Sequence, residues 1–108
     1  MTARFELLPS DAAPDAAFEL HGEVDLTNAA ELEEELSARA ASGPVVLDLS
    51  RAAYFDSAGF EVLDRLVASG GVIVVISPTS AIQRAASVMS LPRHDTVAQA
   101  LEALTTNR

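Results

Sequence analysis

The chain has 108 residues, 49% of them hydrophobic and 21% charged, which suits one small domain with one core and excludes disordered and collagen-like classes. Seven basic residues stand against sixteen acidic ones, a formal net charge of −9, so phosphate backbones and anionic membrane surfaces are repelled; neither nucleic-acid binding nor direct membrane insertion is expected. With no cysteine there is no disulfide framework, thiolate metal site or cysteine nucleophile.

Residues 4–8 and 16–21 are short apolar segments separated by Pro9-Ser10-Asp11-Ala12-Ala13-Pro14-Asp15, which reads as a hairpin with a loose connection. Asn28-Ala29-Ala30-Glu31 then matches a capping box. Ala29, Leu32, Leu36 and Ala40 form one helical stripe that Gly43-Pro44 ends. Val45-Val46-Leu47-Asp48-Leu49 is rich in β-branched residues and reads as a strand. The polar segment 50–57 leads into a second helix over about 57–68, striped by Phe60, Leu63 and Val67 and stopped by Ser69-Gly70-Gly71.

Val72-Ile73-Val74-Val75-Ile76 is a continuous apolar run. It is far too short to span a bilayer and is expected as a strand covered on both faces or central in a sheet. Further helices are expected over about 79–90, with Ile82, Ala85, Ala86 and Met89, and over about 96–105, with Val97, Ala100, Leu101 and Leu104. The predicted order is β-β-α-β-α-β-α-α, with room for a short strand near Arg93. The fold class is α/β: a small mixed sheet of about four to five strands with about four helices packed on it. The opening residues Met1-Thr2-Ala3-Arg4-Phe5 lack the apolar core of a signal peptide, so a cytoplasmic location is expected.

No catalytic set assembles. His21 and His94 lack metal-ligand spacing. Ser57 has a glycine two positions after it but none two positions before, so it is not a nucleophile elbow. Gly70-Gly71 lacks the lysine and hydroxyl residue of a phosphate loop. No enzyme, metal or cofactor is expected. Asp56-Ser57-Ala58-Gly59 does stand out, because it follows a strand and opens a helix. Asp and Ser are favoured caps, and a serine at a helix start also suits phosphorylation, since free N–H groups and the dipole tolerate added charge.

Gly22-Glu23-Val24-Asp25, the capped helix, Val45-Val46-Leu47-Asp48-Leu49-Ser50 and Phe55-Asp56-Ser57-Ala58-Gly59-Phe60 together resemble the STAS domain, and within it the bacterial anti-sigma factor antagonists. Ser77-Pro78 after the apolar strand adds to the match. The resemblance treats residues 1–108 as a single domain and is strongest over 18–104. It implies partner switching. The unphosphorylated antagonist binds a serine-kinase-type anti-sigma factor, which releases its sigma factor. Phosphorylation of Ser57 by that kinase prevents binding, and a PP2C-type phosphatase restores it. ATP belongs to the kinase, so this chain itself needs no cofactor.

The same resemblance implies a partner surface of Glu23, Asp25, Thr27, Asp56, Ser57, Ala58, Gly59 and Phe60. Departures from the family pattern are Ala58 where a hydroxyl is common, Phe60 where leucine is usual, a short second helix, and Leu91-Pro92-Arg93-His94 in place of a strand-like segment. Helical periodicity places Phe60 in the core more readily than on the surface. The alternative function is a stand-alone STAS subunit of a membrane lipid-transport ATPase complex. A third reading, a small nucleotide-binding protein or enzyme, lacks a set of convergent polar groups.

Overall fold

The computed structural model describes residues 2–106. Its strands are β1 (Phe5–Pro9), β2 (Ala17–Val24), β3 (Val45–Asp48), β4 (Ala52–Phe55) and β5 (Val72–Val75). Its α-helices are α1 (Ala29–Arg39), α2 (Ser57–Ala68), α3 (Gln83–Val88) and α4 (Val97–Thr106), with a 3-10 turn at Ala40–Ser42. The expected mixed sheet is present. β1 and β2 are antiparallel, while β2–β3, β2–β4 and β3–β5 are parallel, and the chain between the members of each parallel pair includes a helix, the usual crossover for parallel neighbours.

The long strand β2 organises the sheet. Its first half, Ala17 to Glu19, pairs with β3, and its last residues, Gly22 to Val24, pair with β4. β3 and β4 thus lie end to end along one side of β2, with β1 along the other. β4 was expected to be part of a polar connection. It escapes a pattern reading because it has only four residues, and its register against β2 skips Ala53, which breaks the alternation.

The apolar run places β5 last in the order β1-β2-β3-β5, not at the centre. Both its faces are nevertheless covered, and its outer edge is closed by a parallel bridge to His94: Ile76 N–H donates to the His94 carbonyl and His94 N–H to that of Val74. This bridge is the short strand-like contact anticipated near Arg93.

Alternation along the strands divides the core in two. Leu20, Val24, Val45, Leu47, Val72 and Val74 face α1, α2 and α3, whose Leu32, Leu36, Phe60, Leu63, Leu66 and Ala86 complete the main cluster. Ala17, Val46 and Val75 face the other way, against Ala100 of α4 with Val97, Leu101 and Leu104 beside it. The third helix is shorter than its apolar spacing suggests. Ser77 and Ser80 turn their hydroxyls onto the amides of Thr79 and Ile82, and these local turns replace the first helical turns.

Candidate functional site

β2 and β4 end side by side, with Val24 opposite Phe55. Asp56 N–H donates to the Val24 carbonyl at 3.1 Å, which brings the two turns that follow these strands into contact. Asp56 is the N-cap of α2, in extended backbone conformation, and its Oδ1 accepts from Gly59 N–H at 3.1 Å. Its Oδ2 accepts from Leu26 N–H at 3.2 Å, thirty residues away in sequence. One carboxylate therefore caps a helix and fastens the neighbouring turn to it.

The glycines of both motifs are structural. A Cβ on Gly59 would lie 2.7 Å from the Phe55 ring and 3.0 Å from Val24 Cγ1, so only glycine lets the first turn of α2 settle on these side chains. Gly22 has φ +108°, and a Cβ there would meet the Arg4 carbonyl oxygen at 2.3 Å.

The turn between β2 and α1 is held by its own polar side chains. Asp25 Oδ1 accepts from Thr27 N–H at 2.8 Å and from the Thr27 hydroxyl. The Thr27 hydroxyl, then its amide, holds the Asp25 carboxyl below the usual carboxylate range. The capping box predicted at Asn28 does not form. The buried Asn28 side chain points back into the turn instead: its Oδ1 accepts from Asp25 N–H at 2.9 Å and its Nδ2 donates to the Glu23 carbonyl at 3.0 Å. Above the two turns, Arg65 of α2 makes a two-pronged ion pair with Glu33 of α1, at 2.8 and 3.1 Å, which depresses the Glu33 carboxyl and raises the Arg65 guanidinium.

The predicted residues fall into three layers. Ser57 and Thr27 are exposed; Glu23, Asp25, Asp56 and Ala58 are half-buried. Gly59 is buried, and Phe60 is only 3% exposed, with its ring 5.4 Å from that of Phe55. Phe60 thus supports the site from beneath and does not present its ring to a partner. The Ser57 and Ala58 N–H groups open the helix without intrahelical acceptors, beside an exposed hydroxyl.

Two exposed apolar side chains border the site and were not singled out: Leu26, at 79% exposure, and Tyr54, at 51%, which is in register with Glu23. Leu26 is camouflaged in sequence. It continues the alternation of Leu20 and Val24 and precedes Ala29 by three, so either periodicity would bury it, whereas the turn at 25–28 swings it outward.

Among the described residues no three histidine, aspartate or glutamate side chains converge on a metal position. His21 bonds Glu19 at 2.9 Å, and the His94 backbone closes the edge of β5. No helix among the described residues is long and apolar enough to cross a membrane. A groove lined by Arg39, Val72, Ile73, Leu101 and Leu104 lies at the opposite end of the parallel strands and includes none of the predicted site residues.

This chain belongs to the STAS domain family: the family model described as "Mlab, STAS domain" matches residues 10–103. Among solved structures it is similar to an anti-sigma factor antagonist from Mycobacterium paratuberculosis, with 23% identity, TM-score 0.68, and coverage of 96% of this chain and 95% of that one. It is also similar to the anti-sigma factor antagonist SpoIIAA in its unphosphorylated form, with 18% identity, TM-score 0.56, and coverage of 95% and 97%. At these identities the likeness establishes a shared fold. No curated protein matches the sequence.

Proposed function

We propose that this chain is an anti-sigma factor antagonist whose binding surface is the joined pair of turns around Ser57, and that phosphorylation of Ser57 switches it off. The observation that carries this reading is the placement of Ser57. Its exposed hydroxyl stands on the first turn of α2, next to a carboxylate that also holds the Leu26 turn. The fold shared with two anti-sigma factor antagonists supports the same reading.

A phosphate on Ser57 adds a charge of about −1.5 to −2. Free N–H groups at the helix start accommodate it within this chain, so the fold has no reason to change. A partner seated over Leu26 and Ser57 meets that charge beside Asp56 and Asp25, and must desolvate it. Each ~1.4 kcal/mol of that cost is tenfold in affinity, so a modest penalty is a switch. The partner is a serine-kinase-type anti-sigma factor, and a PP2C-type phosphatase resets the site.

The test begins with wild type, Ser57→Ala and Ser57→Asp as baits in native-host lysate, followed by titration of the purified partner. A kinase-type anti-sigma factor that binds wild type and Ser57→Ala but not Ser57→Asp, and that with ATP phosphorylates wild type at Ser57 alone, supports the switch. Equal binding of the phosphorylated and unphosphorylated forms overturns it. Recovery of one transporter ATPase by all three baits assigns the domain to a transport complex instead.

A further inference from the structure

The free edge of β1 is matched to itself, and we propose that two copies of this chain pair through it, antiparallel about Phe5, to form one continuous sheet. Among the described residues β1 pairs only with β2, so its other edge carries unpaired backbone groups. Which groups these are follows from the ladder. The Arg4 carbonyl accepts from Glu23 N–H and Ser10 N–H donates to the Ala17 carbonyl, so the even-numbered residues turn their backbone groups toward β2. Ala3, Phe5, Leu7 and Pro9 turn theirs outward, and Pro9 has no N–H to offer.

A second β1 in antiparallel orientation bonds fully only if outward residues meet outward residues. Centred on Phe5, the pairs are Ala3 with Leu7, Phe5 with Phe5, and Leu7 with Ala3. All three pairs can exchange both bonds, and Pro9 falls beyond the ladder. In this register Arg4 of each copy lies opposite Glu6 of the other, twice, as non-hydrogen-bonded neighbours whose side chains approach most closely. Both side chains are exposed, and neither has a partner among the described residues.

The adjacent allowed registers are worse. Sliding by one step in one direction sets Arg4 opposite Arg4. Sliding the other way sets Glu6 opposite Glu6 and draws Pro9 into a position that needs a donor. Charge and backbone parity thus choose one register. The net charge of −9 on each copy opposes association, but at physiological ionic strength it is screened beyond about 8 Å, so the facing pairs at the edge decide the outcome. The Ser57 turn follows β4, which lies on the other side of β2 from β1. Pairing therefore leaves the site open in both copies.

Sedimentation velocity on the purified chain across a concentration series tests this. The wild type is expected to pass from one to two copies of 11.3 kDa as concentration rises. Arg4→Glu and Glu6→Arg each put like charges opposite one another twice, and each weakens pairing on the order of tenfold or more. An equimolar mixture of the two variants is expected to pair as well as wild type, and so is the double variant, because both arrangements restore opposite charges. Unchanged thermal melting of the diluted single variants shows that the fold is intact. A wild type that stays monomeric at millimolar concentration overturns the proposal. So does a dimer that the single variants leave untouched, or a mixture that fails to recover.

Discussion

The starts of α1 and α2 lie side by side and look alike in sequence, each a short polar residue ahead of a helical stripe, yet they are built in opposite ways. At α2 the cap looks forward: Asp56 accepts from the third residue of its own helix and, with its second oxygen, from the neighbouring turn. At α1 the cap looks back: Asn28 gives both ends of its amide to the chain that precedes the helix. The difference follows from burial and charge. Asn28 is buried beneath the turn, where Asp25 N–H and the Glu23 carbonyl need partners, and an amide supplies one acceptor and one donor. Asp56 faces only donors, which a carboxylate suits. A cap motif thus marks where a helix begins without stating whose hydrogen bonds the side chain completes.

The comparison can be broken from below. Leu47 is fully buried in the cluster that residues of α1 and α2 complete, so Leu47→Ala should cost about 2–5 kcal/mol in urea unfolding and weaken the support of both starts. Gly59→Ala should act first on the start of α2. Its methyl meets the Phe55 ring at 2.7 Å, a distance packed side chains do not keep, and crowds Val24 at 3.0 Å, so a loss of about 1–3 kcal/mol is expected in thermal unfolding.

The two caps themselves are the sharpest contrast. Asn28→Ala should cost about 1–3 kcal/mol although Asn28 caps nothing, because it strands two backbone groups inside the turn. Asp56→Ala should cost about 0.5–2 kcal/mol, the usual range for a lost cap, since Leu26 N–H can turn to water. Chemical denaturation of both variants decides the order; a larger loss at Asp56 would reverse it.

Proton concentration separates the two turns more gently. Asp25 is held below its ordinary value by Thr27, so the folded state favours the ionised carboxylate. The stability this contributes is full above the ordinary aspartate value of about 4 and is lost as pH falls through the lower, folded value. Glu33, depressed by Arg65, acts in the same direction. Thr27→Val should flatten the fall in urea midpoint between about pH 5 and pH 3, and Arg65→Gln should flatten it independently. The smallest stability effect belongs to Ser57→Asp, within about 0.5 kcal/mol of wild type in the same assay, since Ser57 is exposed and an acidic residue suits a first helical turn.

Most of the architecture was legible because most of it is periodic. The stripe Leu32, Leu36 and the runs at 45–49 and 72–76 bury the faces their spacing implies. What escaped lies where local chemistry overrides period. β4 was hidden by its skipped Ala53, the early turns of the third helix were displaced by the Ser77 and Ser80 hydroxyls, and the edge place of β5 depends on its long-range pairing with β3 and on a bridge to His94, nineteen residues beyond Val75. At the site, the residues around Ser57 were visible as a motif, but the role of Asp56 was only half visible. Its cap is local, whereas its hold on Leu26 joins two segments that become neighbours only after β2 and β4 pair.

That double attachment also makes the protein its own reporter. The amide protons of Leu26 and Gly59 share one carboxylate, one oxygen each, so any change in the charge or tilt of Asp56 reaches both. In a nitrogen–proton correlation spectrum their two cross-peaks should shift together when Ser57 is modified. They would give a resonance-level readout of the switch in a sample that contains no partner.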